Sequence, residues 1–555
     1  MRQLMFGAKM AQDTEGVTPD AGHWDYIIVG AGSAGSVVAA RLSENASQRV
    51  LVLEAGPPDT PLLKAFGLGY YLNLSRYEWH YYSQPDPSRN MRTDHWRRGR
   101  VVGGTGSING MNYVRGTRAD YDRWAAMGNT GWSADDVMPL FASLERCEPG
   151  YLTPPDPRFR GHSGAISVRE ARHCHPLTEA YLESAQVVGF PWTHDYNGVQ
   201  QEGVGYAQFN QRRGFRHTSA DAFLKPALKR RNLKLVTNAH VHKLRLANRC
   251  VTGVIYEHNG EIREARAAKV VLCGGAINTP QILMLSGIGD ANALQSLGID
   301  VVIDRPQVGR NLMEHPILRT ALRVNIPSFN PTGGLWQKVC FLTKFVLQGQ
   351  GPIASVVETQ GFVRSAPQEP IPDVQVLFSP FGAVFSNESS FYKSVDILNY
   401  PSVSIHFVKS YPKSVGQIRL ASADPTDAPL IEPNLLGDRR DVETLVRCVD
   451  MFRRIVSTAP MANLVSEVIE PGPHISSHEQ IVDYVRERAG LAYHPAGTCR
   501  MGADEDFVVT PDLRVRGIDN LWISDASVMP HQISGNIYAA CMMIGEKLGR
   551  QLSSK

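Results

Sequence analysis

Residues 23–44 read HWDYIIVGAGSAGSVVAARLSE, and this stretch decides the fold. Tyr26 to Val29 is a short run rich in β-branched residues, and from Ser36 onward the composition turns helical, so strand, tight turn and helix follow one another. Gly30, Gly32 and Gly35 have the G-x-G-x-x-G spacing, each with its own task. The first permits the turn, the second lets backbone approach a pyrophosphate, and the third lets the helix pack close to the strand. A second strand, RVLVLE, ends at Glu54, where a carboxylate can accept hydrogen bonds from ribose hydroxyls. Strand, turn, helix and strand in this order describe half of a dinucleotide site, one that NAD and FAD both use.

Outward from that unit, 555 residues exceed what one core usually supports, so two domains are expected, each built from discontinuous segments. With 43% hydrophobic and 20% charged residues the chain is an ordinary globular one. The balance of 57 basic against 54 acidic side chains gives a net charge of +3, too even to imply a nucleic-acid partner. RRGFRH at 212–217 and KRR at 229–231 read as solvated surface. Eight scattered cysteines never form C-x-x-C, which argues against a zinc ribbon or a disulfide framework and fits a reducing, cytoplasmic compartment. Residues 1–22 lack an apolar core region and read as a flexible leader. No window holds enough uninterrupted apolar residues to span a bilayer, which leaves peripheral attachment open.

A second glycine-rich stretch, GRVVGGTGSINGMNYVRG at 99–116, can set the backbone of Gly103, Gly104 and Gly106 against another part of a large cofactor, with Ser107 and Asn109 as side-chain donors or acceptors. One nucleotide half-site plus a second loop suits FAD. Here the chain resembles the glucose–methanol–choline (GMC) family of FAD-dependent oxidoreductases, in its choline and alcohol dehydrogenase branch. The carriers are GRVVGGTGSINGMNYVRG, GAINTPQILMLSGIG at 275–289, PQVGRNLMEHP at 306–316, GQIRLASADPTDAPLIEPN at 416–434, YHPAGTCRMG at 493–502, and NLWISDASVMP followed by GNIYAACMMIGEK.

The resemblance implies an α/β chain: a Rossmann-like FAD-binding domain from 23–165, 225–316 and 507–555, and a substrate domain from 166–224 and 317–506 on a largely antiparallel sheet flanked by helices. VSIHFV and QIRLAS are expected in that sheet, and the apolar stripe Leu445, Val449, Phe452 and Val456 is expected to be core packing on a helix ending before Pro460. Cofactor contacts are implied at Gly30, Gly32, Ser33, Ala34, Gly35, Glu54 and Ala55; at Val102, Gly103, Gly106, Asn109, Gly110 and Met111; at the backbone of Val241 beside the adenine; and at Asp525, Ala526 and Ile537. Ile108 stands where some relatives carry a histidine bonded covalently to the flavin, so FAD is expected to be noncovalent.

LAYHPAGTCRMG at 491–502 holds His494, which by itself could be a metal half-site, a catalytic base or a satisfied loop histidine. A metal would want further ligands at suitable spacing, and the segment offers only Cys499, so none is expected. Alcohol oxidation by a flavin needs a base for the hydroxyl proton, and the resemblance gives that role to His494, with Asn536 orienting the substrate oxygen. His23, His80, His242 and His315 read as structural or solvated, and His531 as pocket-adjacent at most. Ile537, Tyr538, Ala540 and Cys541 replace more polar or rigid residues of relatives, which suggests an apolar pocket. The aromatic stretch 61–85 reads equally as a lid or as packing. The expected reaction is oxidation of a primary alcohol to an aldehyde, with a quinone-like or protein carrier, or oxygen, as acceptor. A flavin-containing lyase of the same family is the alternative.

Overall fold

A computed structural model describes residues 18–65, 75–148, 156–171, 174–385 and 395–553. The opening unit is strand β1 (Thr18–Val29), helix α1 (Ser33–Leu42) and strand β2 (Val50–Leu53). β1 starts earlier than expected, because Thr18 and Pro19 already pair with Arg263 and Glu264, so the end of the expected leader belongs to the sheet. Residues 1–17 lie outside the described residues. α1 also starts earlier, at Ser33, since Gly32 is extended and caps it without using a side chain. Its first N–H groups point back at the turn, the arrangement that attracts a phosphate.

The first sheet runs Leu233–Val236, β2, β1 and Glu261–Leu272, all parallel, with Leu521–Ile523 parallel to the end of the last. An antiparallel meander, Ala239–Ala247 and Cys250–His258, extends it from Glu261–Leu272. Tyr26 to Val29 and Val50 to Leu53 are buried on both faces, which explains their unbroken apolar composition.

The second sheet is antiparallel: Val465–Glu470, Ala321–Val324, Ser402–Lys409, Val374–Ser379, Thr359–Val363 and Gly203–Tyr206, with Pro316–Arg319 joining Ser402–Lys409 to Gly490–Leu491. Helix Arg439–Val456, capped by the Asp438 side chain on Arg440 N–H, covers it and buries Leu445, Val449, Phe452 and Val456. VSIHFV lies in this sheet. QIRLAS does not: Ile418 N–H bonds to Gly309 O at 2.7 Å, which draws Gly416–Arg419 into a separate three-stranded sheet with Arg310–Leu312 and Leu430–Glu432.

Two hydrophobic cores correspond to the two sheets. Ile418, Leu420, Ile431, Leu491, Cys499 and Met501 pack in the first core although they fall within 317–506, and Ile166, Val168 and Phe223 do so although they fall within 166–224. The cavity described next lies where the layers meet, lined from the first sheet by Val29 and Leu53 and from the second by Ile317, Leu377 and Val408.

Candidate active site

One cavity of about 560 Å³ runs from the glycine turn to His494. At the turn, backbone does the work. A Cβ on Gly35 would sit 2.0 Å from Gly30 O, and one on Gly104, at φ +56°, would sit 2.9 Å from Gly32 Cα. The two glycine-rich loops therefore touch main chain to main chain, leaving N–H groups open to a ligand. Glu54 is buried, with Oε2 accepting from Ala31 N at 2.8 Å and Oε1 from Gly56 N at 2.9 Å. Burial pushes its carboxyl up to about 7, against the lowering by those amides. It has the carboxyl chemistry to take a ribose hydroxyl.

Gly30, Gly32, Ser33, Ala34, Glu54, Ala55, Gly106, Asn109, Gly110, Met111, Val241, Asp525, Ala526 and Ile537 all line the cavity, as do His494 and Asn536. Gly35, Val102 and Gly103 stand one layer back. Gly35 packs α1 on the turn, Val102 O accepts from Ser107 Oγ at 2.8 Å, and Gly103 N bonds to Ala31 O at 2.8 Å. Ser107 thus spends its hydroxyl on its own loop. Asn109 Oδ1 is likewise engaged, by Met111 N at 3.0 Å and Arg216 Nη1 at 2.6 Å. Asp525 accepts from Gly275 N at 2.8 Å and Thr279 Oγ1 at 2.6 Å, tying two glycine-containing segments together. Ile108 also faces the cavity, an aliphatic side chain with no group to bond a flavin. Of the aromatic stretch 61–85, Leu63 and Trp79 line the cavity, and residues 66–74 lie outside the described residues.

The far end is built from side chains. His315 and His494 each precede a proline, which confines both to extended backbone. Their segments run antiparallel, with Met313 bridging Ala496 and Pro316 pairing Leu491, so the two rings face each other across the pair. His315 Nδ1 lies 3.0 Å from His494 Nδ1, and His315 Nε2 lies 2.8 Å from Ser410 O. On the other side, Asn536 Nδ2 is 2.9 Å from His494 Nε2, and Gln375 Nε2 donates to Asn536 Oδ1 at 3.0 Å.

That chain fixes every proton in it. A carbonyl only accepts, so His315 Nε2 carries the hydrogen and its Nδ1 carries the lone pair. His494 must then donate from Nδ1, which leaves a lone pair on Nε2 facing Asn536 and the cavity. Burial holds His494 well below the usual histidine range, reinforced by His315 and by Arg98. His315, pushed down to about 4 mainly by burial, stays a neutral acceptor.

Behind the pair, buried Glu314 accepts from His494 N at 2.8 Å and His315 N at 3.0 Å through Oε1. Burial pushes it up to about 8, with those amides and Arg98 opposing. The arrangement can accept one proton at a defined atom.

The sequence reading missed His315, Gln375, Glu314 and Arg98. The available signal was the second His-Pro, in MEHP, matching the one in YHP. His531 does not line the cavity; it bonds Gln532 O at 2.9 Å and faces Arg123. His242, read as structural, lines the opposite end beside Val241.

The family profile described as GMC oxidoreductase matches residues 24–317 with its N-terminal part and 412–545 with its C-terminal part. Among curated relatives, human mitochondrial choline dehydrogenase is 39% identical over 94% of this chain and 89% of its own. Alcohol dehydrogenase [acceptor] of Pseudomonas putida is 37% identical over 94% of both chains. Among solved structures, pyridoxine 4-oxidase from Mesorbium loti superposes with a TM-score of 0.86 at 29% identity, covering 96% of this chain and 100% of that one.

Proposed function

The chain belongs to the GMC oxidoreductase family, FAD-dependent enzymes acting on CH–OH donors, and from that premise we propose that it oxidises an uncharged primary alcohol to its aldehyde with His494 as the base. The observation that carries this reading is the ordered chain from Ser410 O through His315 and His494 to Asn536, which aims one imidazole lone pair into the cavity.

FAD, when bound, supplies the acceptor for the hydride that leaves the carbinol carbon. The fit of this chain to it rests on the close approach of Gly32 and Gly104, the open N-terminus of α1 and the buried carboxyl of Glu54. Gly30, Gly32, Ser33 and Ala34 would hold the pyrophosphate side, Val241 the adenine side, and Asn109, Gly110, Met111, Asp525, Ala526 and Ile537 the ring side, without a covalent bond.

As substrate enters, its hydroxyl replaces the Asn536 N–H on His494 Nε2, and that nitrogen takes the hydroxyl proton while Nδ1–H keeps donating to His315, so the imidazolium forms with its second N–H already satisfied. Asn536, its oxygen pinned by Gln375, has two N–H bonds: one reaches His494 and the other can orient the substrate oxygen. Ile317, Leu377 and Val408 exclude water on the substrate side, which sharpens these polar contacts.

An uncharged substrate is supported by the acidic groups. The human relative is named for choline, a quaternary ammonium. Among the described residues lining this cavity only Glu54 and Asp525 are acidic, and both are tied to backbone amides. A reoxidising partner other than oxygen, quinone-like or a protein carrier, is in keeping with the dehydrogenase names of the relatives. Those names do not favour the lyase. The test is anaerobic mixing of the holoprotein with aliphatic, aromatic and amino alcohols, then admission of air. Bleaching of the flavin band by uncharged alcohols, persisting in air, is expected. Bleaching by choline alone would overturn the substrate class, and rapid return of colour would make the enzyme an oxidase.

A further inference from the structure

Helix α2 (Gly334–Gln348) is the anomaly of the surface. Large apolar side chains exposed among the described residues number thirteen, and six of them, Leu335, Trp336, Val339, Leu342, Val346 and Leu347, lie on this one helix. Leu335, Val339, Leu342 and Val346 follow one another at intervals of four, three and four, so they form a single stripe, with Trp336 and Leu347 along its edge. The stripe faces solvent: Phe345 alone is buried, against Phe215 with ring centroids 4.8 Å apart and beside Ala65 and Ala354. A contiguous exposed apolar face of this kind marks a contact surface.

Charge says what the contact is. No Asp or Glu occurs from Val324 to Val357, whereas Lys338 is exposed on α2. At the far end of the helix the hairpin Gln211–Arg216 brings up exposed Arg212 and Arg213, its tip packed backbone to backbone on Gly349. A second copy docking by a two-fold axis would set these cations against themselves. An anionic headgroup layer would neutralise them while the stripe and Trp336 enter the acyl boundary, the usual geometry of an interfacial helix.

We propose that the outward face of α2, with the Arg212–Arg213 hairpin tip, docks this protein on an anionic lipid bilayer. No helix among the described residues is long and apolar enough to cross a membrane. The surface is coupled to the site through that hairpin. Phe215 packs on α2, and the adjacent Arg216 reaches Asn109 Oδ1 in the cavity wall at 2.6 Å.

The experiment is co-sedimentation of purified holoprotein with phosphatidylcholine vesicles with and without phosphatidylglycerol, at low and high salt, alongside light scattering for its mass. Binding to the phosphatidylglycerol vesicles is expected to exceed binding to phosphatidylcholine by about tenfold and to weaken with salt. Leu342→Glu combined with Val346→Glu is expected to lower it by at least about tenfold, leaving the flavin spectrum and turnover with a water-soluble dye unchanged. Lys338→Glu, which leaves the stripe intact, should lower only the anionic component. Absence of binding to either vesicle would overturn the proposal, as would binding unaffected by the double substitution. A dimer that the substitution splits would assign the face to a second copy instead.

Discussion

The two ends of the cavity are built by different means. Around Gly30, Gly32 and Gly104 the ligand-facing surface is main chain, and what matters is the absence of Cβ atoms. Around His494 the surface is side chains from four separate segments, and what matters is which atom carries each proton. The first kind of site tolerates almost no added volume, and what pH dependence it has comes from the buried Glu54 carboxyl and not from the glycine backbone. The second tolerates volume better and depends on titration and tautomer. On the proposed function, chemistry is thus separated from binding within one cavity.

The largest effect should come from the backbone end. In Gly35→Ala the new Cβ would lie 2.0 Å from Gly30 O, an atom that cannot move without opening the turn, so the purified protein is expected to lose its flavin absorbance and all turnover. Normal flavin content in this variant would break the contrast between the two ends. At the other end His494→Ala should keep the yellow colour yet slow anaerobic flavin reduction by about 10²–10⁴, the usual worth of a positioned base. Loss of flavin there would show that His494 serves binding instead.

A smaller effect sharpens the proton argument. His315→Leu removes the acceptor for His494 Nδ1–H and frees the ring to take the unproductive tautomer, with an expected loss on the order of tenfold to hundredfold in flavin reduction. His315→Gln keeps an acceptor and should recover part of that loss; equal losses in both variants would reduce His315 to packing. The subtlest test is the pH profile. Because burial, His315 and Arg98 hold His494 well below 6.5, it is already neutral at pH 7, and rate is lost only as pH falls through its lowered value. The kcat/KM profile should therefore be level through neutrality with its acid limb below 6.5, and a limb centred at 7 or higher would contradict the assigned base environment.

Much was legible in the chain because it was local. The β1–α1–β2 unit and the buried stripe of Arg439–Val456 follow from periodicity within a dozen or so residues. The errors were at places where a distant segment intervened. β1 gained its first turn of chain from Arg263 and Glu264, and QIRLAS was captured by Gly309. Ser107 and Gly103 carry plausible cofactor-binding chemistry in sequence, yet the Ser107 hydroxyl closes its own loop and Gly103 N–H is held by Ala31 O of the first glycine turn.

His315 was passed over because seventeen histidines look alike in a string, and only its partner makes it different. The amino-acid sequence by itself determined the dinucleotide turn and the family, and singled out His494 as the candidate base, since glycine spacing and short motifs act over a few residues. Only the tertiary structure decided which nitrogen of that imidazole keeps its lone pair. The decision is made by a carbonyl at Ser410 and a ring at His315, 95 residues apart in the chain, with the latter 179 residues from His494, and hydrogen-bond direction passes only through contact.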